Sequence, residues 1–205
     1  MTEASRHWDG VYGSRSFDQV SWYQTVPERS LRHIQDAVTN PNAAIIDVGG
    51  GASTLVDNLL EAGFNDITVL DISENALQQA RHRLGFRADA VNWVVADVRT
   101  FMPGREFMVW HDRAVLHFLV DAGDRARYLE ALRRALLPGA KLVLSTFGPE
   151  GPLKCSGLQI RRYNVDMLIE LLGSSFALQG HELEDHETPA GATQQFLYTS
   201  WTRKG

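Results

Sequence analysis

The sequence predicts an α/β fold in which helices cover a mostly parallel sheet. From residue 43 onward, short β-branched apolar runs alternate with longer stretches of helical periodicity. This alternation is typical of parallel strands joined by helical crossovers. The apolar runs carry few charges, as strands buried on both faces do. A chain of 205 residues, 44% of them hydrophobic, has the size of one domain, so we expect residues 1–205 to form a single domain.

Seven strands are predicted. Five buried runs are expected side by side in the sheet: Ala43–Val48, Ile67–Asp71, Val91–Ala96, Phe107–His111 and Lys141–Phe147. Two later β-like runs, Phe176–Glu184 and Gln194–Trp201, are expected to pair as an antiparallel hairpin.

Helical periodicity predicts five helices, at Pro27–Val38, Ser53–Ala62, Ser73–Leu84, Asp124–Leu137 and Val165–Leu172. Serine at the start of the second and third of these is a preferred N-cap. Pro138-Gly139 is expected to end the fourth. Residues 1–26 are rich in aromatic side chains but show no steady period, so we expect an irregular segment there.

Composition and charge exclude several classes of protein. Twenty Lys and Arg against 25 Asp and Glu give a net charge of −5, so a nucleic acid is not expected as the main partner. The single cysteine, Cys155, cannot form an intramolecular disulfide, which indicates a cytoplasmic protein. No apolar stretch approaches the roughly 20 residues that span a bilayer, so we expect neither a membrane anchor nor a secretion signal. The sequence carries no signal for the oligomeric state.

A glycine turn is the most informative local feature. The first strand runs directly into Gly49-Gly50-Gly51 and then into a helix. Glycines permit unusual backbone angles there and allow a ligand to approach the main chain. The free N–H groups of the following helix would face the crevice at the carboxyl ends of the strands. The turn therefore predicts a ligand site, although a tight turn without a ligand would explain the glycines alone.

Carboxylates follow the next two strands at the same edge of the sheet. The second strand ends in Asp71-Ile72 and the third is followed by Asp97-Val98. Asp71 can accept hydrogen bonds from both hydroxyls of a ribose, and Asp97 can accept one from an adenine amino group. Either aspartate alone could be a helix cap. Together with the glycine turn, they predict a nucleoside-sized ligand across three strand ends.

This pattern resembles the class I S-adenosylmethionine-dependent methyltransferases. Their first motif is an acidic residue followed by alternating glycines, matched here by Asp47, Gly49 and Gly51. Ser53 stands where the motif has its third glycine. The alternative is a dinucleotide-binding oxidoreductase, which also uses glycines and a ribose-binding acid. Its G-x-G-x-x-G pattern, however, would need glycine where this chain has Thr54.

The resemblance covers roughly residues 27–147 and includes Pro138-Gly139 before the fifth strand. It implies a Rossmann-like, doubly wound, mostly parallel seven-stranded sheet with a C-terminal antiparallel strand and helices on both faces. It also implies S-adenosyl-L-methionine as the cofactor, with residues 148–205 forming a substrate-side loop and the C-terminal hairpin. The residues expected to contact the cofactor are Asp47, Gly49, Gly50, Gly51, Asp71, Ile72, Asp97, Val98, His111 and Trp22.

The end of the fourth strand is the expected catalytic region, because this family places substrate and the transferred methyl group there. His111 could orient a nucleophile or accept a proton. Asp112 and Arg113 could pair with each other or with a charged substrate. Methyl transfer from a sulfonium starts with a good leaving group, so positioning and desolvation suffice and a dedicated base is optional.

The N-terminal residues 1–26 are predicted to form a lid over the cofactor, because aromatic faces attract cations such as a sulfonium. Ordinary core anchoring is the alternative for each ring. The pattern Trp8-Asp9-x-x-Tyr12, followed by Trp22-Tyr23, is similar to the opening of lysine methyltransferases that act on elongation factors.

Three questions of function stay open at this point. A small-molecule acceptor is favoured because no separate docking domain is evident, and a protein lysine is the alternative. A non-catalytic cofactor-binding module of the same fold is a further alternative. His181 and His186 could suggest a metal, but strand alternation explains them better, and we expect no metal site.

Overall fold

The computed structural model describes residues 2–205, so Met1, the first residue of the predicted lid, lies outside the described part. Strands and helices alternate from residue 45 onward, as the sequence predicts. The strands of the described chain are β1 (Ile45–Val48), β2 (Ile67–Asp71), β3 (Val91–Val95), β4 (Phe107–Arg113), β5 (Leu136–Phe147), β6 (Lys154–Cys155), β7 (Leu158–Gln159), β8 (Phe176–Glu187) and β9 (Thr193–Arg203).

Seven strands form one sheet in the order β3-β2-β1-β4-β5-β9-β8. Strands β1 to β5 are parallel, and β9 inserts antiparallel between β5 and β8. Strands β6 and β7 form a separate two-stranded hairpin. The order reverses between β1 and β4, which is where ligands bind in open α/β sheets. The Rossmann-like fold with a C-terminal antiparallel strand is therefore confirmed.

The helices of the described chain are α1 (Glu3–Ser14), α2 (Glu28–Ala37), α3 (Leu55–Glu61), α4 (Glu74–Leu84), α5 (Ala122–Ala135) and α6 (Val165–Leu172). Ser73 caps α4 by accepting from the Ala76 N–H, as predicted. Asp121 caps α5 and Asn164 caps α6. None of the helices in residues 2–205 is both long enough and apolar enough to cross a membrane.

Two local expectations are wrong. Residues 3–14 of the N-terminal segment form a regular helix rather than an irregular one. The helix before the fifth strand ends at Ala135, and Pro138-Gly139 lie inside β5. The pairing of β5 with β4 skips from Leu136 to Lys141, so the proline interrupts no ladder hydrogen bond there.

Apolar side chains fill both faces of the sheet. On one face, residues such as Ile46, Trp110 and Leu142 pack against α5 and α6. On the other face, Ile45 and Val109 pack with residues of α2, α3 and α4. Successive strand residues point to opposite faces, so each strand contributes to both layers. The helices thus cover the faces, and the carboxyl ends of the strands remain available for a ligand.

Candidate functional site

A cleft of about 210 Å³ lies at the carboxyl ends of the parallel strands. Its floor comes from the ends of β1 to β4, its roof from α1 and the segment after it, and its far wall from β5, β9 and the β6–β7 hairpin. The predicted cofactor residues that line it are Gly49, Asp71, Ile72, Asp97, Val98 and Trp22. Asp47, Gly50 and His111 border a smaller cavity of about 40 Å³ beside it.

The glycine turn requires all three of its glycines. Gly49 and Gly51 have φ values of +69° and +45°, in the left-handed region that favours glycine. A Cβ on Gly49 would lie 2.0 Å from Val115 Cγ2. A Cβ on Gly50 would lie 2.4 Å from Asp47 Oδ2, and one on Gly51 would lie 2.8 Å from Asp71 Oδ2. The turn therefore brings bare backbone beside both carboxylates.

Asp71 faces the cleft at the end of β2. Its Oδ1 accepts a hydrogen bond from the Ser73 N–H at 2.8 Å. Burial, with the nearby negative charges of Asp47 and Asp9, raises the pKa of Asp71 to about 7. Hydrogen bonds from ligand hydroxyls would favour the charged form and offset this burial. Asp71 therefore has the position and the chemistry to hold a ribose.

Asp97 meets the cleft as part of an ion pair. Both of its carboxylate oxygens accept from the Arg99 guanidinium, and Arg99 also bonds Asp124 Oδ2 at 2.9 Å. Although burial acts in the opposite direction, the hydrogen bonds from Arg99 lower the pKa of Asp97. Arg99 and Asp124 also line the cleft. No pattern in the sequence indicated that either residue belongs to the site.

A chain of hydrogen bonds runs from Asp47 to Arg113 beneath the floor of the cleft. His111 Nδ1 lies 2.7 Å from Asp47 Oδ1, and His111 Nε2 lies 2.9 Å from Ser30 Oγ. Ser30 Oγ lies 3.3 Å from the Tyr198 hydroxyl, which accepts from Arg113 Nε at 3.0 Å. Every donor in this chain has an acceptor if each group donates its hydrogen to the next group on the side of Asp47. Ser30 and Tyr198 come from distant parts of the chain, and sequence reasoning missed both.

This chain of hydrogen bonds changes the expected role of His111. Its side chain is 2% exposed, and both ring nitrogens already have partners. The predicted direct role, orienting a nucleophile or accepting a proton, therefore has no free ring nitrogen to perform it. The geometry makes His111 a positioning residue that holds Asp47 beside the glycine turn.

Asp112 points away from the cleft, into the layer below α5. It accepts from the N–H groups of Val115 and Leu116, at 2.8 and 3.2 Å, and from the Tyr128 hydroxyl at 2.7 Å. Burial raises the pKa of Asp112 to about 6. Neighbouring strand residues face opposite sides, so the expected pairing of Asp112 with Arg113 is wrong, and Asp112 does not line the cleft. Asp112 shapes the turn after β4.

Arg113, in contrast, lines both cavities. It stacks on the Phe196 ring, 4.3 Å from the ring centroid, and its NH1 donates to the Trp22 carbonyl at 3.1 Å. The next residue, Ala114, has φ +76°, so regular strand geometry ends immediately after Arg113. Of the predicted catalytic residues, Arg113 is the one that the structure places at the cleft.

Aromatic side chains of the N-terminal segment roof the cleft. The Trp8 ring lies edge-on to Trp22 and Phe118, at centroid distances of 5.9 and 5.0 Å. Trp22 Nε1 donates to the Tyr12 hydroxyl at 3.2 Å. Asp9, which sequence reasoning also missed, accepts from Ser73 Oγ at 2.7 Å and so ties α1 to the start of α4.

Comparisons with known proteins find methyltransferases. A family sequence model described as a methyltransferase domain matches residues 46–142, the stretch from β1 into β5. The eEF1A lysine and N-terminal methyltransferase of Bos taurus is 27% identical over 155 residues, covering 72% of this chain and 22% of the relative. The malonyl-[acyl-carrier protein] O-methyltransferase of Brevibacillus brevis is 27% identical over 143 residues, 62% of this chain and 48% of the relative. The chain thus spans less than half the length of these two relatives.

Solved structures share the fold over most of their length. The 1,6-didemethyltoxoflavin-N1-methyltransferase of Burkholderia thailandensis, solved with 1,6-didemethyltoxoflavin and S-adenosylhomocysteine, aligns with a TM-score of 0.72 and 18% identity, covering 98% of this chain and 85% of that one. An N-methyltransferase of Bradyrhizobium japonicum in complex with S-adenosylhomocysteine aligns with a TM-score of 0.66 and 16% identity, covering 87% of each chain.

Proposed function

Because this chain belongs to the class I S-adenosylmethionine-dependent methyltransferases, we propose that it methylates a small-molecule acceptor within the cleft. The observation that carries the proposal is the position of Asp71, at the end of β2 beside the bare backbone of Gly51. A nucleoside bound across β1, β2 and β3 would meet this carboxylate with its ribose hydroxyls. The amino-acid tail of S-adenosylmethionine would lie against the glycine turn.

The residues present fit S-adenosylmethionine. Asp71 would hold the ribose, Ile72 and Val98 would enclose the adenine, and the Asp97–Arg99 pair would lie at its polar edge. When bound, the cofactor supplies a methyl group on a sulfonium; the acceptor's lone pair forms the new bond to that carbon, and the S–CH₃ electron pair stays on sulfur as S-adenosylhomocysteine. Trp8, Trp22 and Phe118 line the cleft and would exclude water from the reacting groups.

The protein's own part in the reaction is positioning. His111 and Ser30 keep Asp47 in place, and the aromatic roof presents ring faces that favour a cationic centre. No residue is needed to abstract a proton before transfer when the nucleophile is already unprotonated. An acceptor proton, where one is present, leaves to solvent after transfer.

The lining of the cleft supports a small acceptor. The roof of α1 and Trp22 covers it from above, and Phe147, Cys155 and Leu158 close the far end. A protein lysine is the second candidate, supported by the relatives named for eEF1A lysine methylation and by the Trp8-Asp9-x-x-Tyr12 pattern.

We also propose that residues 2–26 act as a lid. The lone buried Cys155 supports a cytoplasmic location.

Two measurements test the cofactor and the acceptor that we propose. Titration calorimetry measures binding of S-adenosylhomocysteine and of NADH, and a lysate is incubated with the protein and methyl-labelled S-adenosylmethionine. We expect S-adenosylhomocysteine to bind and label to enter the small-molecule fraction. Label confined to polypeptide would reject the small acceptor in favour of lysine. Binding of NADH alone would overturn the assignment, and cofactor binding without turnover on any acceptor would indicate a non-catalytic module.

A further inference from the structure

We propose that Arg83 positions the end of the glycine turn for cofactor binding and couples that turn to the proposed lid through the Phe17 ring. Arg83 lies near the end of α4 and lines neither the cleft nor the smaller cavity. It is therefore a positioning residue and not a ligand to the cofactor. The inference rests on the proposed function, because it concerns how the same site holds S-adenosylmethionine.

The guanidinium of Arg83 holds two main-chain carbonyls directly after the glycine turn. Its NH1 donates to the Ala52 carbonyl at 2.8 Å, and its NH2 donates to the Ser53 carbonyl at 2.7 Å. A guanidinium presents its donors in a rigid, planar fork, so two carbonyls bonded to it keep a fixed orientation to each other. Asp57 of α3 accepts from Nε and NH2, which pairs the charge of Arg83 and fixes the group from a second side.

These bonds determine where the neighbouring N–H groups point. All peptide bonds of the described chain are trans, and in a trans peptide the N–H lies opposite the C=O. Carbonyls turned toward Arg83 therefore turn the N–H groups that follow them away from it. The Ser53 N–H donates to the Gly50 carbonyl at 2.8 Å, which closes a turn from Gly50 to Ser53. Arg83 thus stabilises the end of the turn whose Gly51 lies beside Asp71.

The same guanidinium contacts the N-terminal segment. Its Cζ lies 4.7 Å from the centroid of the Phe17 ring, within the range of a cation–π contact. Phe17 packs edge-on against Tyr23, at a centroid distance of 5.9 Å. Both rings line the smaller cavity beside the glycine turn. One side chain therefore bonds the turn and contacts the segment that roofs the cleft.

Arg83 belongs to one face of α4 that binds this segment. Asn75, Gln79 and Arg83 are four positions apart, so they lie on the same side of the helix. Asn75 Nδ2 donates to the Asp9 carbonyl at 3.0 Å. Gln79 Nε2 donates to the Tyr12 carbonyl at 2.6 Å. The three contacts follow the N-terminal segment in order, and the third of them is made by the residue that also bonds the glycine turn.

Coupling follows from the sharing of one group. The Phe17 ring covers the guanidinium of Arg83, whose side chain is only 16% exposed. Hydrogen bonds are stronger where water is excluded, so the ring strengthens the bonds from Arg83 to the two carbonyls. Displacement of the lid would uncover the guanidinium and weaken those bonds. Because such coupling is reciprocal, a cofactor that rests on the turn would favour the closed lid.

Calorimetric titration with S-adenosylhomocysteine tests the positioning role. Arg83→Met keeps an unbranched apolar stem and removes every donor, so we expect the dissociation constant to rise about tenfold. Arg81→Met is the matched control, because Arg81 lies on the same helix and also has a carboxylate partner, Glu74, and an aromatic partner, Trp93. These partners belong neither to the turn nor to the N-terminal segment, so the control should change the constant by less than about twofold.

The design separates positioning from simple stabilisation. Each variant is titrated under conditions where circular dichroism shows it to be folded, so lost stability alone leaves the dissociation constant unchanged. An unchanged constant in Arg83→Met, or an equal loss of affinity in Arg81→Met, would overturn the inference. Should Arg83→Met not fold, Arg83→Lys keeps a charge for Asp57 without the fork. We expect weaker binding in that variant too, and wild-type affinity would decide against the inference.

Dissociation rates test the coupling to the lid. Phe17→Leu removes the ring and leaves the hydrogen-bonding groups of Arg83 in place, so we expect S-adenosylhomocysteine to dissociate about threefold faster by stopped-flow fluorescence. In the Arg83→Met background the same substitution should have no further effect, since the two residues act together. Equal acceleration in both backgrounds, or none in either, would contradict the coupling. A wild-type protein that does not bind S-adenosylhomocysteine would instead reject the proposed function, and this inference with it.

Discussion

His111 Nδ1 lies 2.7 Å from Asp47 Oδ1, and the two residues are direct partners in the β1–β4 register. Neither side chain is more than 3% exposed. A carboxylate buried this deeply needs a hydrogen-bonded partner, because removing one member of such a pair leaves an uncompensated polar group. The strand pairing that builds the sheet therefore also fixes the acidic residue beside the glycine turn.

We expect His111→Leu to destabilise the protein by about 3–5 kcal/mol, because Asp47 loses its partner. Urea denaturation measures this change, and His181→Leu, at an exposed histidine, should shift stability by less than about 0.5 kcal/mol. Adding Asp47→Leu to His111→Leu should recover part of the loss. A double variant no more stable than the single one would contradict the pairing.

Asp71→Asn should weaken S-adenosylhomocysteine binding by a factor of about 10 to 100, because charge-assisted hydrogen bonds to the ribose hydroxyls are lost. Titration calorimetry at pH 8 measures the effect. Asp66→Asn, just before β2 at the opposite end of the same strand, is the control and should leave affinity unchanged. An unchanged dissociation constant for Asp71→Asn would mean that the ribose lies elsewhere.

Cofactor affinity should depend on pH through Asp71. The ligand hydroxyls favour the ionised carboxylate, and the pKa of Asp71 is raised to about 7. The dissociation constant of S-adenosylhomocysteine should therefore be constant above pH 8 and rise toward tenfold per pH unit below pH 7. Asp71→Asn should remove this dependence, and a wild-type profile that is flat from pH 5.5 to 8 would contradict it.

The same carboxyl should make the ligand-free protein less stable as pH rises. Because burial raises its pKa from 3.8 to about 7, the folded state binds more protons than the unfolded state between these values. Stability from this group is therefore present below about pH 4 and lost by about pH 7. Asp71→Asn should stabilise the ligand-free protein at pH 8 by on the order of 1 kcal/mol and have little effect at pH 4, as measured by thermal unfolding. Equal effects at both pH values would contradict this.

Removing a roof aromatic should speed cofactor release. Trp8→Ala deletes the edge-on contacts to Trp22 and Phe118, so we expect dissociation of S-adenosylhomocysteine to accelerate about tenfold by stopped-flow fluorescence. Gly10→Ala is the control on the same helix, because a Cβ there meets no atom within 4 Å. Equal rates in both variants would show that α1 is not a lid.

Local patterns predicted the fold well where the signal lies within one element. The bounds of β2 and α6 match the sequence expectation, and Ser73 caps α4. The helix α1 escaped prediction because Gly10 and Gly13 interrupt its pattern and polar contacts, such as Asp9 to Ser73, hold it on α4. The prediction that Pro138-Gly139 end the helix was wrong, because these two residues lie inside β5 where its pairing with β4 is interrupted.

The residues of the site also include some that local sequence patterns could predict and some that they could not. The glycine turn and Asp71 could be predicted because spacing along the chain places them at one sheet edge. The role of His111 could not, because its partner Ser30 lies 81 positions away and reaches it through the packing of α2. The separation of Asp112 from Arg113 follows from strand alternation, but which of the two meets the cleft depends on the layers built around them.

Helix α2 and the end of the N-terminal segment rest on the last two strands. Arg29, Arg32 and His33 pair with Glu182 on β8, and the Ser21 carbonyl lies 2.8 Å from His186 Nε2. Strand β9 must also insert between β5 and β8. During synthesis, residues 21–33 therefore reach their final contacts only after about 150 more residues have been added. The part of the roof around Ser21 is therefore complete only once β8 and β9 have been synthesised, so a truncation in β9 should weaken cofactor retention.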